Sequence, residues 1–93
     1  MLTVATEKIP GGKLLRIKVD YEDRINSVKI TGDFFLHPEE AIGDIEKSLL
    51  GVKADQGESV IANIISEVVK AKRIELIGIT PEAIARVVKG AMK

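Results

Sequence analysis

Gly11, Gly12 and Lys13 follow a proline in "KIPGGKLLRIKV", a grouping that could cradle a phosphate. A phosphate loop needs two glycines spaced around four residues, then Lys-Ser/Thr, set between a strand and a helix so that backbone N–H groups converge on the anion. Here Leu14 follows Lys13, and the chain then alternates as a strand. The glycines are therefore expected to turn a hairpin, with positive φ at Gly11 or Gly12 and no helix dipole aimed at the loop. Close backbone approach to a partner or ligand is their other use. His37, before Pro38, is a candidate general base, but no second titratable group is placed to tune it, so a helix cap or a solvated position is expected. Glu39 and Glu40 could form a carboxylate pair; the first turn of a helix favours acidic residues for dipole reasons alone. No catalytic residue is assigned.

The composition narrows the function further. The chain has no cysteine and one histidine, which excludes disulfides, thiolate chemistry and a histidine-rich metal site. Lys plus Arg and Asp plus Glu both number 14, a balance that argues against nucleic-acid binding. No apolar run reaches membrane-span length and the start lacks a signal-peptide pattern, so a cytoplasmic protein is expected. Ninety-three residues suffice for one domain, residues 1–93, with a thin core that leaves little room for a private active site.

The first third must supply strands. "LTVATEKI" is extended, with Leu2 and Val4 alternating against Thr3 and Ala5. Leu15, Ile17, Val19 and Tyr21 share one face of the next strand; Leu14, Arg16, Lys18 and Asp20 share the other. A third strand spans about Arg24 to Thr31, with Val28 and Ile30 inward. Ile25 has the wrong parity and is expected at a turn or bulge. Gly32 ends this meander. The rest reads as helices beginning near Pro38, Gln56 and Pro81. Pro38 is expected at the first helical position, Asp55 as an N-cap with Glu58 three residues on, and Thr80 as the last N-cap. Ile42, Ile45 and Leu49, then Ile61, Ile64, Ile65 and Val68, then Ile84, Val87, Val88 and Ala91 form apolar stripes. Arg73–Ile79 fits either a strand or a connector. The expected class is α+β: an antiparallel three-stranded sheet followed by about three helices packed on one face.

"TGDFFLHP" holds both phenylalanines of a chain with three aromatics. Adjacent residues of extended backbone point to opposite faces, so one of Phe34 and Phe35 can join the core while the other is either covered by a helix or exposed at a partner surface. Asp33 is expected to cap the turn through its side chain.

From Lys8 to Gly51 these features, the PGGK entry, the charged strand turn, "GDFF" before a proline and acidic residues, and a Leu-Gly helix end, together resemble the C-terminal accessory domain of lipoate–protein ligases. "IELIGITPEAIARVV" resembles the family's tail more loosely. Only that domain is present, so the chain looks like the small subunit of two-chain ligases. The resemblance implies a heterodimer with a large catalytic subunit, which activates lipoate with ATP and Mg²⁺ to lipoyl-AMP and transfers the lipoyl group to a lysine of an acceptor, such as the E2 chain of a 2-oxoacid dehydrogenase or the glycine-cleavage H protein. The small chain would support adenylation and bind no cofactor alone. Gly11, Gly12, Lys13, Asp33, Phe34 and Phe35 are the implied partner contacts, and Lys13 could help neutralise phosphate charge. A free-standing regulatory or binding module without a ligase partner is the alternative.

Overall fold

Alternation in the first third becomes a three-stranded antiparallel sheet in the order β1-β2-β3, made of β1 (Leu2–Ile9), β2 (Lys13–Tyr21) and β3 (Ile25–Gly32). The structure, a computed structural model, describes residues 1–11 and 13–92. Val19 pairs with Val28 and Ile17 with Ile30, so one face is continuous and apolar. Leu15, Ile17, Val19, Val28 and Ile30 are all buried, as their parity predicts. On β1 the inward set is Thr3, Ala5, Glu7 and Ile9, and Leu2 and Val4 take the outer face. The register shifts after Asp20, and Tyr21 pairs with Ile25. Asn26 is thus the extra residue of a bulge, which returns Ile25 to the interior.

Gly32 closes the meander for a steric reason. A Cβ there would lie 2.2 Å from the Leu14 carbonyl oxygen. That close approach lets the Asp33 amide donate to the same carbonyl at 2.9 Å. The turn is therefore held by the Asp33 backbone. Among the described residues its side chain makes no hydrogen bond, contrary to the expected side-chain cap.

Three helices follow: α1 (Ala41–Ser48), α2 (Glu58–Ala71) and α3 (Pro81–Ala91). α3 packs on β1 and β2, α1 packs on β3, and α2 packs on α3 and α1. Ile45, Leu49, Ile61, Ile65 and Ile84 are fully buried between these layers, each worth about 1.5–3 kcal/mol of transfer free energy. Glu46 of α1 also accepts from the Ile30 amide at 2.8 Å, which satisfies part of the free edge of β3.

Two helix starts differ from expectation. Pro38 is not the first helical position. The His37–Pro38 peptide is cis, and Ala41 donates to the Pro38 carbonyl at 3.0 Å, so a turn precedes the helix. Glu39 lies in that turn, and Glu40 at the N-cap position makes no side-chain cap bond. Nor does Asp55 cap α2. Gly57 holds the N-cap position, because residues 51–54 are tied to the β2–β3 connection by Ile25–Val52, Gly51–Ile25 and Ala54–Asp23 backbone bonds, each 2.9 Å. Thr80 does cap α3, accepting from the Ala83 amide at 3.1 Å, and Pro81 opens the helix.

Candidate partner-binding site

Two short strands that alternation alone did not separate complete the molecule. β4 (Phe35–His37) and β5 (Glu75–Ile77) form an antiparallel ribbon, pairing Phe35 with Ile77, Leu36 with Leu76 and His37 with Glu75. The "RIELIGI" segment is therefore a strand at its centre. Side-chain alternation divides the ribbon. Leu36 and Leu76 turn inward and pack on the core, while Phe35, His37, Glu75 and Ile77 face solvent.

The two phenylalanines separate as adjacent positions must. Phe34 is half-buried against the core, its ring 3.1 Å from where a Cβ on Gly32 would stand, whereas Phe35 is exposed. Opposite it stands Ile77, also exposed, which sequence reasoning missed. Strict alternation over "ELIGI" would put Ile77 on the face of buried Ile79, so the sequence carried no signal for its exposure; Gly78, at φ +85°, breaks the alternation between them. An exposed aromatic paired with an exposed β-branched residue is an apolar patch on an otherwise polar ribbon.

The turn between β1 and β2 approaches this ribbon. Gly11 has φ +99°, so it provides the left-handed residue that the hairpin needs. Gly12 lies outside the described residues. Lys13 is half-buried and its stem runs along Gly78, where an added Cβ would sit 3.4 Å from Lys13 Cε. A concavity of about 520 Å³ opens here, bordered by Ile9, Gly11, Lys13, Gly78, Thr80 and Arg86. Thr80 is the cap of α3, so a helix N-terminus does border the glycine turn. Sequence distance hid that neighbour. Arg86 is engaged with Glu7 at 2.8 Å, which ties α3 to β1.

The remaining sequence candidates do not converge on this place as a reactive set. His37 is exposed on β4 opposite Glu75 and does not cap a helix. Glu39 and Glu40 sit beyond it in the turn before α1. Among the described residues, no group of three His, Cys, Asp or Glu side chains is placed to hold a metal ion, and every buried side-chain nitrogen or oxygen has a partner. No helix is long and apolar enough to cross a membrane. What the elements bring together is a surface: the Phe35–Ile77 pair, the Gly11 turn, Lys13 and Gly78.

No family model and no curated protein matches the chain. A solved structure does. The chain aligns with one from an archaeal lipoylation system, a bi-partite lipoate protein ligase and its E2 lipoyl domain from Thermoplasma acidophilum, at 26% identity and a TM-score of 0.77. The alignment covers 100% of this chain and 96% of that one. The likeness runs essentially the whole length of both chains, and it supports the resemblance to the small subunit of two-chain lipoate–protein ligases.

Proposed function

We propose that this chain is the accessory subunit of a lipoate–protein ligase and supports the first half of the reaction, the activation of lipoate by ATP. The full-length likeness to a chain of a bi-partite ligase system is the observation that carries this reading. In the first half-reaction a lipoate carboxylate oxygen attacks the α-phosphorus of ATP and pyrophosphate leaves; Mg²⁺, when bound in the complex, would offset phosphate charge. In the second, a lysine amine of the acceptor attacks the lipoyl carbonyl and AMP leaves. The first step brings two anions together and forms a mixed anhydride that water destroys, so it gains from positioning and closure. A second chain can supply both without supplying a nucleophile.

In this reading the Phe35–Ile77 patch and the Gly11 turn meet the large catalytic subunit, forming a heterodimer. Asp33 and Phe34 lie at or behind the contact, and Lys13 carries positive charge toward the nucleotide side. ATP, Mg²⁺ and lipoate bind in the complex and not to this chain alone. Acceptors are lipoyl domains, as in E2 chains or the glycine-cleavage H protein. Reconstitution tests this. The purified chain is mixed with its ligase chain, lipoate, ATP and a lipoyl domain, and the acceptor is weighed by mass spectrometry. The complex should lipoylate the acceptor and this chain alone should not. Lipoylation by this chain alone would refute the reading, and no gain from adding it would refute it in favour of a free-standing binding module.

A further inference from the structure

We propose that the uncovered face of the β1–β2–β3 sheet is a second docking surface, and that its occupant is a protein surface rich in carboxylates. All three helices lie on the inner side of this sheet. The outer side is built from alternate residues of the three strands, and its cations gather there. Lys8 on β1, Arg16 and Lys18 on β2 and Lys29 on β3 are all exposed on it, against a single carboxylate, Asp20. The chain as a whole is neutral, so this is segregation of charge and not an overall excess.

Lys18 and Lys29 stand directly opposite each other across β2 and β3. Like charges in that position destabilise a sheet. Among the described residues none of the four cations makes an ion pair, and Asp20, at the far end, is engaged by the Met1 amino group at 3.3 Å. Folding alone gains nothing from the arrangement; a carboxylate-bearing partner would. Leu2, Val4 and Leu14 are exposed on the same face, with Val4 paired to Lys18 and Leu14 to Lys8. Cations interleaved with aliphatic side chains suit a folded protein partner. A single-stranded nucleic acid would call for stacking aromatics, and none lies on this face. The proposal stands on this charge pattern and not on the ligase reading, and it uses none of the residues of the Phe35–Ile77 patch.

The probe is poly-L-glutamate, titrated into the full chain at low ionic strength, with backbone amide shifts recorded by NMR. The expected result is saturable binding with shifts confined to β1, β2 and β3. K18E and K29E should each weaken it by about tenfold or more, and K70E on α2 should leave it unchanged. K18E should melt at or above the wild-type temperature, since it replaces the Lys18–Lys29 opposition with an opposite-charge pair; K29E tests the same point from the other strand. Absence of binding, binding indifferent to both substitutions, or shifts centred elsewhere would overturn the proposal. So would a single-stranded oligonucleotide of equal charge that saturates this face while poly-L-glutamate does not.

Discussion

Phe35 on β4 and Ile77 on β5 form a direct cross-strand pair with both side chains outward, at 67% and 50% exposure. The ribbon that carries them is only three residues long on each strand and is anchored by Leu36 and Leu76 beneath. Such a pair contributes little to the isolated fold and presents apolar area to a partner. Replacing Phe35 by Asp should leave stability within about 0.5 kcal/mol in thermal unfolding, as for surface substitutions generally. The same change should weaken the complex with the ligase chain by at least about tenfold in calorimetric titration, because it sets an unpaired charge in the contact. Ile77→Asp should behave alike. Unchanged affinity in both variants would remove this patch from the interface.

Gly32 and Gly43 should respond to the same substitution with opposite signs. Alanine at position 32 would put a methyl 2.2 Å from the Leu14 carbonyl oxygen, against backbone that cannot yield. Urea denaturation should show a loss of about 1–3 kcal/mol, the range for overpacking. Gly43 sits inside α1 with nothing within 4 Å of an added Cβ. Gly43→Ala should stabilise by about 0.5–1 kcal/mol through helix propensity.

Ile65 is fully buried where α2 meets the rest of the core. Ile65→Ala should cost about 2–5 kcal/mol by the same measurement, a large share of the stability of a domain this small.

Thr80 accepts the Ala83 amide and borders the glycine turn. Thr80→Ala should cost about 1 kcal/mol, and Thr80→Ser should restore most of it.

The sheet was legible because strand parity is a strong signal. Leu15, Ile17 and Val19 keep the period of two over a whole strand, and even the misfit of Ile25 marked the bulge at Asn26. Charge on the outer face was equally readable, although its cross-strand consequence needed the register that sets Lys18 against Lys29. The β4–β5 ribbon was not legible as a unit. Three residues per strand give too little alternation to outweigh the helical patterns on either side, and the partners lie far apart in sequence. Hence Phe35 could be flagged but Ile77 could not. Pro38 and Asp55 misled for a different reason. Each matches a local helix-start preference, but contacts made by neighbouring segments displaced the start to Ala41 and to Glu58. In the same way the approach of Thr80 to Gly11 is a product of tertiary packing that no local pattern contains.

The central claim is that this chain assists adenylation and not transfer. It is tested most directly by comparing two initial rates of acceptor lipoylation by the ligase chain, each with and without this chain. One reaction starts from lipoate and ATP, the other from preformed lipoyl-AMP. The account predicts strong dependence on this chain in the first reaction and little in the second, where the anion–anion encounter has already been overcome. Equal dependence in both reactions, or efficient use of lipoate and ATP by the ligase chain alone, would contradict it.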